Sequence, residues 1–235
     1  MLKRHWKWFV AVPVTLVVVV FGGTFVYIHF IAPDPAPKLT FSSADPAGST
    51  ASATGDASAT APGNINGTWT VAIGSEVQYR VHEKLNGLDN EATGSTTAVT
   101  GQLTVDGTTV NTASFTVDMT TVTSDESQRD GQFRGRIMNT SQFPTATFEL
   151  TEPIQLGSIP DDQVEITVHA TGKLTLHGTT QEITVPLEAK RNGVQLEALG
   201  TIPITFSDYD IDNPSGGPAS VGNAGDLEVH LVFAK

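Results

Sequence analysis

Apolar and polar residues alternate along most of the chain from residue 67 onward. In residues 164–176 every second residue is Val, Ile, Ala, Gly or Leu, and the residues between them are polar. A period of two places alternate side chains on opposite faces of a β-strand. The pattern therefore predicts strands with one apolar and one polar face. Further segments of this kind lie within residues 77–81, 103–105, 113–120, 146–150, 183–189, 194–198 and 227–233.

Short turn sequences separate consecutive segments. Asp106-Gly107, His177-Gly178 and Asn192-Gly193 supply the residue types that tight hairpin turns require. We therefore expect an all-β fold of about eight antiparallel strands joined mainly by hairpins. The long segment 164–176 suits a strand that bends around a barrel. A barrel of about eight strands is just wide enough to be filled by side chains or to hold one slender ligand. The apolar inward positions fit both cases.

Residues 124–139 interrupt the alternation and contain three arginines. Phe133 and Ile137 are spaced four apart, which places them on one face of a helix. The segment predicts one short helix at about residues 125–139. Phe133 and Ile137 would close one end of the barrel.

The N-terminal region predicts a membrane anchor. Residues 9–28 are uncharged and mostly apolar, a length that suits a helix crossing a bilayer. Lys3, Arg4 and Lys7 precede them, and positive residues favour the cytoplasmic side. We expect residues 1–31 to form a cytoplasmic tip and a single transmembrane helix, which would place the remainder outside the cytoplasm at the cell membrane. The alternative is a cleaved signal peptide, whose apolar region is usually shorter.

Residues 32–66 are rich in Ala, Ser, Thr, Pro and Gly. Such a segment cannot bury enough apolar surface to offset chain entropy, so we expect a disordered linker. The folded domain would then comprise residues 67–235. The chain has no cysteine, which excludes disulfides and a lipid anchor on cysteine.

The charge balance limits the range of partners. The formal net charge is −12, and most of the acids lie in the predicted folded domain. Nucleic-acid binding needs clustered Lys and Arg, and anionic lipid headgroups attract basic segments. We expect neither type of contact for the domain. The oligomeric state stays open, a dimer included.

Three motifs in order resemble those of a known family. They are T-W-T-V with S-E-V-Q-Y-R-V at 68–81, T-S-D-E-S-Q-R-D-G-Q-F followed by M-N-T-S-Q-F-P-T-A-T-F at 123–148, and A-T-G-K-L-T-L-H-G-T-T-Q-E-I-T-V-P at 170–186. Across nearly the whole exported part the chain resembles the YceI-like polyisoprenoid-binding family, and its anchor and linker resemble actinobacterial variants.

The resemblance implies a lipocalin-like antiparallel barrel that encloses a long isoprenoid chain, such as a quinone or polyprenyl lipid, in an apolar tunnel. Many relatives have a histidine shortly after the second strand, where this chain reads H-E-K-L-N-G-L from His82. The head group of the ligand is therefore left open. We expect the tunnel to be lined by Tyr79, Val81, Phe115, Val117, Phe133, Ile137, Phe148, Leu174, Leu187 and Phe206.

Arg129 and Asp130 have three readings. The first is structural, with both side chains bonding strand backbone and fixing the helix to the barrel. The second is an arginine that meets a lipid head group at the barrel mouth. Catalysis is the weakest, because no nucleophile or metal accompanies the pair.

We expect no metal site and no cofactor beyond a bound lipid or quinone. His82, His169, His177 and His230 lack metal-ligand spacing, and His169 and His230 fall on predicted solvent-facing sides. Residues 207–212, S-D-Y-D-I-D, lack the glycine and distal glutamate of a calcium loop and predict a solvated loop. A lipid-binding protein is thus the expected function. A ligand-free surface or stress-response module with a packed barrel is the alternative, and an enzyme acting on an exported lipid is the weakest hypothesis.

Overall fold

The computed structural model describes residues 35–42, 64–217 and 219–235. Within those ranges, no helix combines the length and the hydropathy that a bilayer crossing requires. The predicted anchor in residues 1–31 lies outside the described residues, as do residues 32–34 and 43–63 of the predicted linker.

The described residues form one antiparallel sheet. Its strands are β1 (Gly67–Val71), β2 (Glu76–Leu85), β3 (Leu88–Thr96), β4 (Val99–Asp106), β5 (Thr109–Asp118), β6 (Thr123–Ser124), β7 (Thr145–Leu150), β8 (Ile154–Gln155), β9 (Glu165–Leu176), β10 (Thr179–Asn192), β11 (Gln195–Thr205), β12 (Ala219–Val221) and β13 (Ala224–Ala234).

Eight strands close into a ring in the order β1, β4, β5, β7, β9, β10, β11 and β13. Strand β13 closes it at one end by pairing with β1, where Phe233 lies opposite Val71. Towards the other end β13 pairs with β2 instead, with Asp226 opposite Arg80. The expectation of an antiparallel barrel of about eight strands is confirmed.

The predicted hairpin turns connect β4 to β5, β9 to β10 and β10 to β11. His177 and Gly178 adopt φ values of 52° and 78°, the left-handed conformation that a tight turn requires. Gly101 and Gly172 serve a different purpose inside the barrel wall. A side chain at either position would collide with the ring of Phe115 or Phe148, so the two glycines make room for those rings.

One short α-helix interrupts the strands of the described chain, as predicted. Helix α1 (Ser127–Gln132) continues into a π-helical turn, Phe133–Ile137. Its N-cap is Glu126, whose carboxylate accepts a hydrogen bond from the amide of Gln128 at 3.3 Å. Phe133 is buried and stacks on Tyr79, with ring centroids 5.2 Å apart. The helix therefore covers one end of the barrel.

The structure differs from the expected disordered linker in two places. Residues 35–42, here called the strap, lie across the outer wall of the barrel, where the amides of Leu39 and Ser42 donate to the carboxylates of Glu228 and Glu197. Ile65 is buried in the barrel core. Composition predicted disorder because the apolar content of a segment reports only on its side chains. The strap is held to the barrel through its backbone instead.

Candidate functional site

The barrel encloses a cavity of about 420 Å³. Its wall consists of inward-facing side chains of the strands, closed on one side by Phe133 and Ile137. This arrangement follows from the alternation in the sequence, because every second strand residue points inward and nearly all of those residues are apolar. Burial of the apolar surface of a ligand is thus the main interaction that the cavity offers.

All ten residues that the sequence predicted as tunnel-lining border this cavity. They are Tyr79, Val81, Phe115, Val117, Phe133, Ile137, Phe148, Leu174, Leu187 and Phe206. Contact between these residues and a ligand stays a prediction.

Sequence reasoning missed other lining residues that lie in or next to short turns. Met119 belongs to a 3-10 turn, and Ile211 follows another, Phe206–Tyr209. The expectation of a solvated loop at 207–212 was wrong for its apolar members, because Tyr209 and Ile211 are buried. The acids of this stretch are exposed. The alternation of Phe, Tyr and Ile with Ser and Asp was the signal that could have identified them.

A second cavity of about 110 Å³ lies beneath the first, towards the end of the barrel that Ile65 covers. Phe115 and Phe148 border both cavities. Their rings are stacked, with an interplanar angle of 15°. The two rings therefore belong to the walls of both chambers.

Polar residues mark the helix end of the main cavity, away from the smaller cavity. The exposed side chains of Glu126, Gln128 and Gln132 line it there, together with the half-buried Glu83 and Asp226. We call this end the mouth, because here the lining residues reach solvent. Residues 214–221 also contribute to it through Pro214, Gly216, Ala219 and Val221.

The helix is tied to both sides of the mouth. A guanidinium nitrogen of Arg136 donates to the carbonyl of Pro214 at 2.8 Å, which fixes the neighbouring loop. Arg134 donates to the carbonyl of Val122 at 3.2 Å. Two of the three arginines thus bind backbone carbonyls.

Arg129 and Asp130 separate into two roles. Asp130 accepts hydrogen bonds from the amide and the hydroxyl of Ser124, at 2.8 and 2.7 Å, and so ties the helix to strand β6. Arg129 is ion-paired with Asp125 and lines the cavity mouth. The predicted structural role fits Asp130, whereas Arg129 makes its ion pair within its own segment and borders the cavity.

Tyr79 adds a neutral polar group near the mouth. Burial raises the pKa of its hydroxyl to about 12, with smaller contributions from surrounding charges. The hydroxyl therefore stays protonated at neutral pH. It can donate a hydrogen bond without adding charge to the cavity.

A buried polar cluster lies on the outer wall beneath the strap. Arg80 forms ion pairs with Glu228, at 2.7 Å, and with Glu91. His230 contacts Glu197 at 2.9 Å and packs under the ring of Phe41. The expectation that His230 faces solvent was wrong, because the strap covers it. Among the residues that the structure describes, no three metal-ligating side chains converge.

Burial by itself would raise the pKa of the Glu228 and Glu197 carboxyls. The hydrogen bonds that they accept outweigh that effect and lower both pKa values. For Glu228 the donors include Arg80 and the amide of Leu39, and for Glu197 they include His230 and the amide of Ser42. The strap thus helps to hold both acids ionised.

Comparison with solved structures places the barrel among similar folds. A polyisoprenoid binding domain from Saccharophagus degradans, implicated in plant cell wall breakdown, matches with a TM-score of 0.57 and 14% identity over 71% of this chain and 97% of that one. BcnA from Burkholderia cenocepacia matches with a TM-score of 0.53 and 23% identity over 69% and 98%. The YceI protein of Campylobacter jejuni matches with a TM-score of 0.50 and 14% identity over 60% and 84%.

No curated protein matches the chain in sequence. The family model of the YceI-like domain matches residues 43–233, which is most of the chain. The barrel, the helix that covers one end of it and the apolar cavity accompany that match. The chain belongs to the YceI-like domain family.

Proposed function

We propose that the chain is a membrane-tethered, extracytoplasmic lipid-binding protein that holds a long-chain isoprenoid, such as a quinone or a polyprenyl lipid, inside its barrel. The observation that carries the proposal is the unfilled apolar cavity of about 420 Å³. Ligand pockets usually measure about 300–1,000 Å³ and are mostly apolar. Storage, transport and protection under stress are the uses that such binding would serve.

The apolar wall of the cavity supports a hydrocarbon ligand. Removing apolar surface from water is worth roughly 25 cal/mol per Å². Water gains few hydrogen bonds against such a wall. The same cavity argues against the alternative of a ligand-free module with a packed barrel.

The family supports an isoprenoid as the ligand class. One structural neighbour is a polyisoprenoid binding domain, and a slender branched hydrocarbon suits a barrel of about eight strands. Aromatic residues such as Phe133 and Phe148 supply large apolar surfaces to such a chain. The tether rests on residues 9–28, whose length and hydropathy suit a bilayer crossing with the N-terminus in the cytoplasm.

The direct test is to identify what the protein carries. The full chain, purified from its own membranes in mild detergent, is examined by native mass spectrometry, and an organic extract is analysed for isoprenoids. We expect a stoichiometric isoprenoid. Polyprenol or quinone added to the delipidated protein should also raise its melting temperature, because a ligand at about 100 times its Kd stabilises by roughly 2.7 kcal/mol. Absence of both signals would refute the proposal.

A cavity-filling variant connects that lipid to the barrel. Val117 is half-buried and borders the cavity, so Val117→Trp places an indole in the space that the lipid would occupy. We expect loss of the co-purified lipid with retained folding. Val194→Trp is the matched control, since Val194 is 87% exposed at the outer end of the β10–β11 hairpin. Lipid retained by Val117→Trp would place the binding site elsewhere.

A further inference from the structure

The strap crosses the outer wall in a defined direction. Its first residues contact β3 and β2, where the amide of Ala36 donates to the Thr93 hydroxyl at 3.2 Å and its carbonyl accepts from Arg80 at 2.7 Å. Its last residue contacts β11 and β10, where Ser42 donates to Glu197 at 3.0 Å and accepts from Lys190 at 3.3 Å. The strap thus spans five neighbouring strands, β3, β2, β13, β11 and β10.

The two ends of the strap lie against different levels of the barrel. Thr93 is flanked by Ala92 and Gly94, which line the main cavity. Glu197 and Lys190 border the smaller cavity beneath it. The chain therefore meets the barrel on the side of the mouth and runs from there towards the opposite end.

The strap is bound by charged and polar side chains on the outer wall of the barrel. Leu39 and Ser42 present amides to two buried carboxylates, and Gln78 donates to the carbonyl of Pro37 at 3.1 Å. Hydrogen bonds to charged groups are stronger than neutral ones. Undocking the strap would break these hydrogen bonds and expose the carboxylates that it now covers. Docking of the strap is therefore the stable state of this face.

Only residues 29–34 separate the strap from the apolar segment 9–28. At roughly 3.3–3.6 Å per residue, the start of the strap cannot lie more than about 25 Å from the end of that segment. If the strap were released, residues 35–64 would add to the length of the tether between the apolar segment and the barrel. The barrel could then rotate freely relative to the membrane. The docked strap shortens the tether and fixes which end of the barrel points to it.

We propose that the strap turns the mouth of the barrel towards the bilayer, so that the cavity faces the surface from which an isoprenoid would enter. This inference rests on the proposed tether and ligand. Charge attraction would not produce the same orientation, because Glu83, Glu126 and Asp226 line the mouth and anionic headgroups repel acids. The partner of the mouth is the lipid surface next to the anchor.

The test uses the full chain in vesicles and two single-cysteine labels, since the chain has no cysteine of its own. Asp89→Cys carries a fluorophore near the β2–β3 hairpin tip, beyond the mouth, where the side chain is 90% exposed. Val194→Cys carries it at the opposite end. A quencher attached to lipid headgroups reports which label lies nearer the membrane. We expect severalfold stronger quenching at Asp89→Cys.

Two proline substitutions release the strap without changing the barrel. Leu39→Pro with Ser42→Pro removes the two amides that bind Glu228 and Glu197. The difference between the labels should then disappear, and hydrogen exchange of the remaining strap amides should accelerate. Thr40→Pro is the control, because Thr40 is exposed and its amide donates to no group among the described residues. That variant should keep the difference.

Each outcome has a separate meaning. Equal or reversed quenching in the unaltered chain would overturn the orientation, as would a difference that persists after hydrogen exchange shows the strap released. Failure of the full chain to float with the vesicles would refute both the proposed tether and the proposed orientation. Preserved quenching with no isoprenoid in the lipid extract would refute the proposed function while the orientation stands.

Discussion

Phe115 and Phe148 face one another across strands β5 and β7, with ring centroids 6.4 Å apart and planes 15° apart. The ring of Phe233 also packs against Phe115, with ring centroids 5.7 Å apart. Both stacked rings contact the main cavity of about 420 Å³ and the smaller one of about 110 Å³. We therefore expect the pair to set the depth to which a chain can enter from the mouth.

Phe148→Ala should join the two chambers and let the barrel accept a longer isoprenoid. We expect the affinity for a series of polyprenols to peak at a greater chain length than in the unaltered protein. The variant should also lose about 3 kcal/mol in the free energy of unfolding, which is the lower end of the range for buried Phe→Ala substitutions. Chain-length profiles from competitive binding and denaturant unfolding measure the two effects.

Phe143→Ala is the matched control for that variant. The Phe143 ring packs on His177 at 4.7 Å, and Phe143 lines neither cavity. It should cost stability without moving the chain-length optimum. An unchanged optimum in Phe148→Ala would show that the rings do not limit the depth.

Asp130 and Arg129 should respond differently to substitution. Asp130→Ala leaves the amide and hydroxyl of Ser124 without their acceptor, which should cost about 2 kcal/mol in the free energy of unfolding. Arg129→Ala removes a partly exposed ion pair with Asp125, worth at most about 1 kcal/mol. Urea unfolding of both variants measures the difference. A larger loss for Arg129→Ala would restore the structural role for the arginine.

The inward half of the barrel could be predicted because alternation reports directly on which side chains share a face. Phe115, Val117 and Phe148 were found in this way, and all three line the cavity. The surroundings of the outward-facing residues could not be predicted. Alternation predicts that every polar side chain of a strand faces solvent. Arg80 and Glu228 fit that pattern and yet are buried. Nothing in their own strands signals the segment that covers them.

The strap was unpredictable for a related reason. Its binding uses the amides of Leu39 and Ser42 and the carbonyls of Ala36 and Pro37, which every sequence possesses. The one side chain with a distinctive contact is Phe41, which lies between His230 and the ammonium group of Lys190. A single aromatic residue in a Pro- and Ser-rich stretch is a weak signal.

The acids at the mouth should make the barrel prefer an uncharged head group. Glu83, Glu126 and Asp226 line this end, and Arg129 is the single cation among the residues lining the cavity, itself paired with an acid. A polyprenol should therefore bind about tenfold more tightly than the diphosphate of the same chain length, which corresponds to roughly 1.4 kcal/mol. Competitive binding at low and high salt measures the ratio, and screening should reduce it.

Glu126→Gln should narrow that preference by removing one repulsive charge. Glu149→Gln is the matched control, since Glu149 is exposed and lies outside the cavity lining. Tighter binding of the diphosphate by the unaltered protein would contradict the prediction and make Arg129 the dominant charge at the mouth.

Acid should weaken the outer-wall cluster. The pKa values of Glu228 and Glu197 are lowered in the folded chain, because the hydrogen bonds that they accept outweigh the effect of burial. Glutamates in an unfolded chain titrate near about 4.3. Their ionisation therefore stabilises the folded state above about pH 4, and this contribution disappears as the pH falls through the lowered folded pKa values.

Thermal unfolding from pH 7 down to pH 3 measures this loss when the unaltered chain is compared with Glu228→Gln. The variant should melt at a lower temperature at pH 7, since it removes one partner of the buried ion pair with Arg80. Breaking such a pair lowers the free energy of unfolding by about 3 kcal/mol. Its melting temperature should then fall less than that of the unaltered chain as the pH is lowered. Parallel curves for the two proteins would show that another group governs the acid response, because the variant lacks the titrating carboxyl.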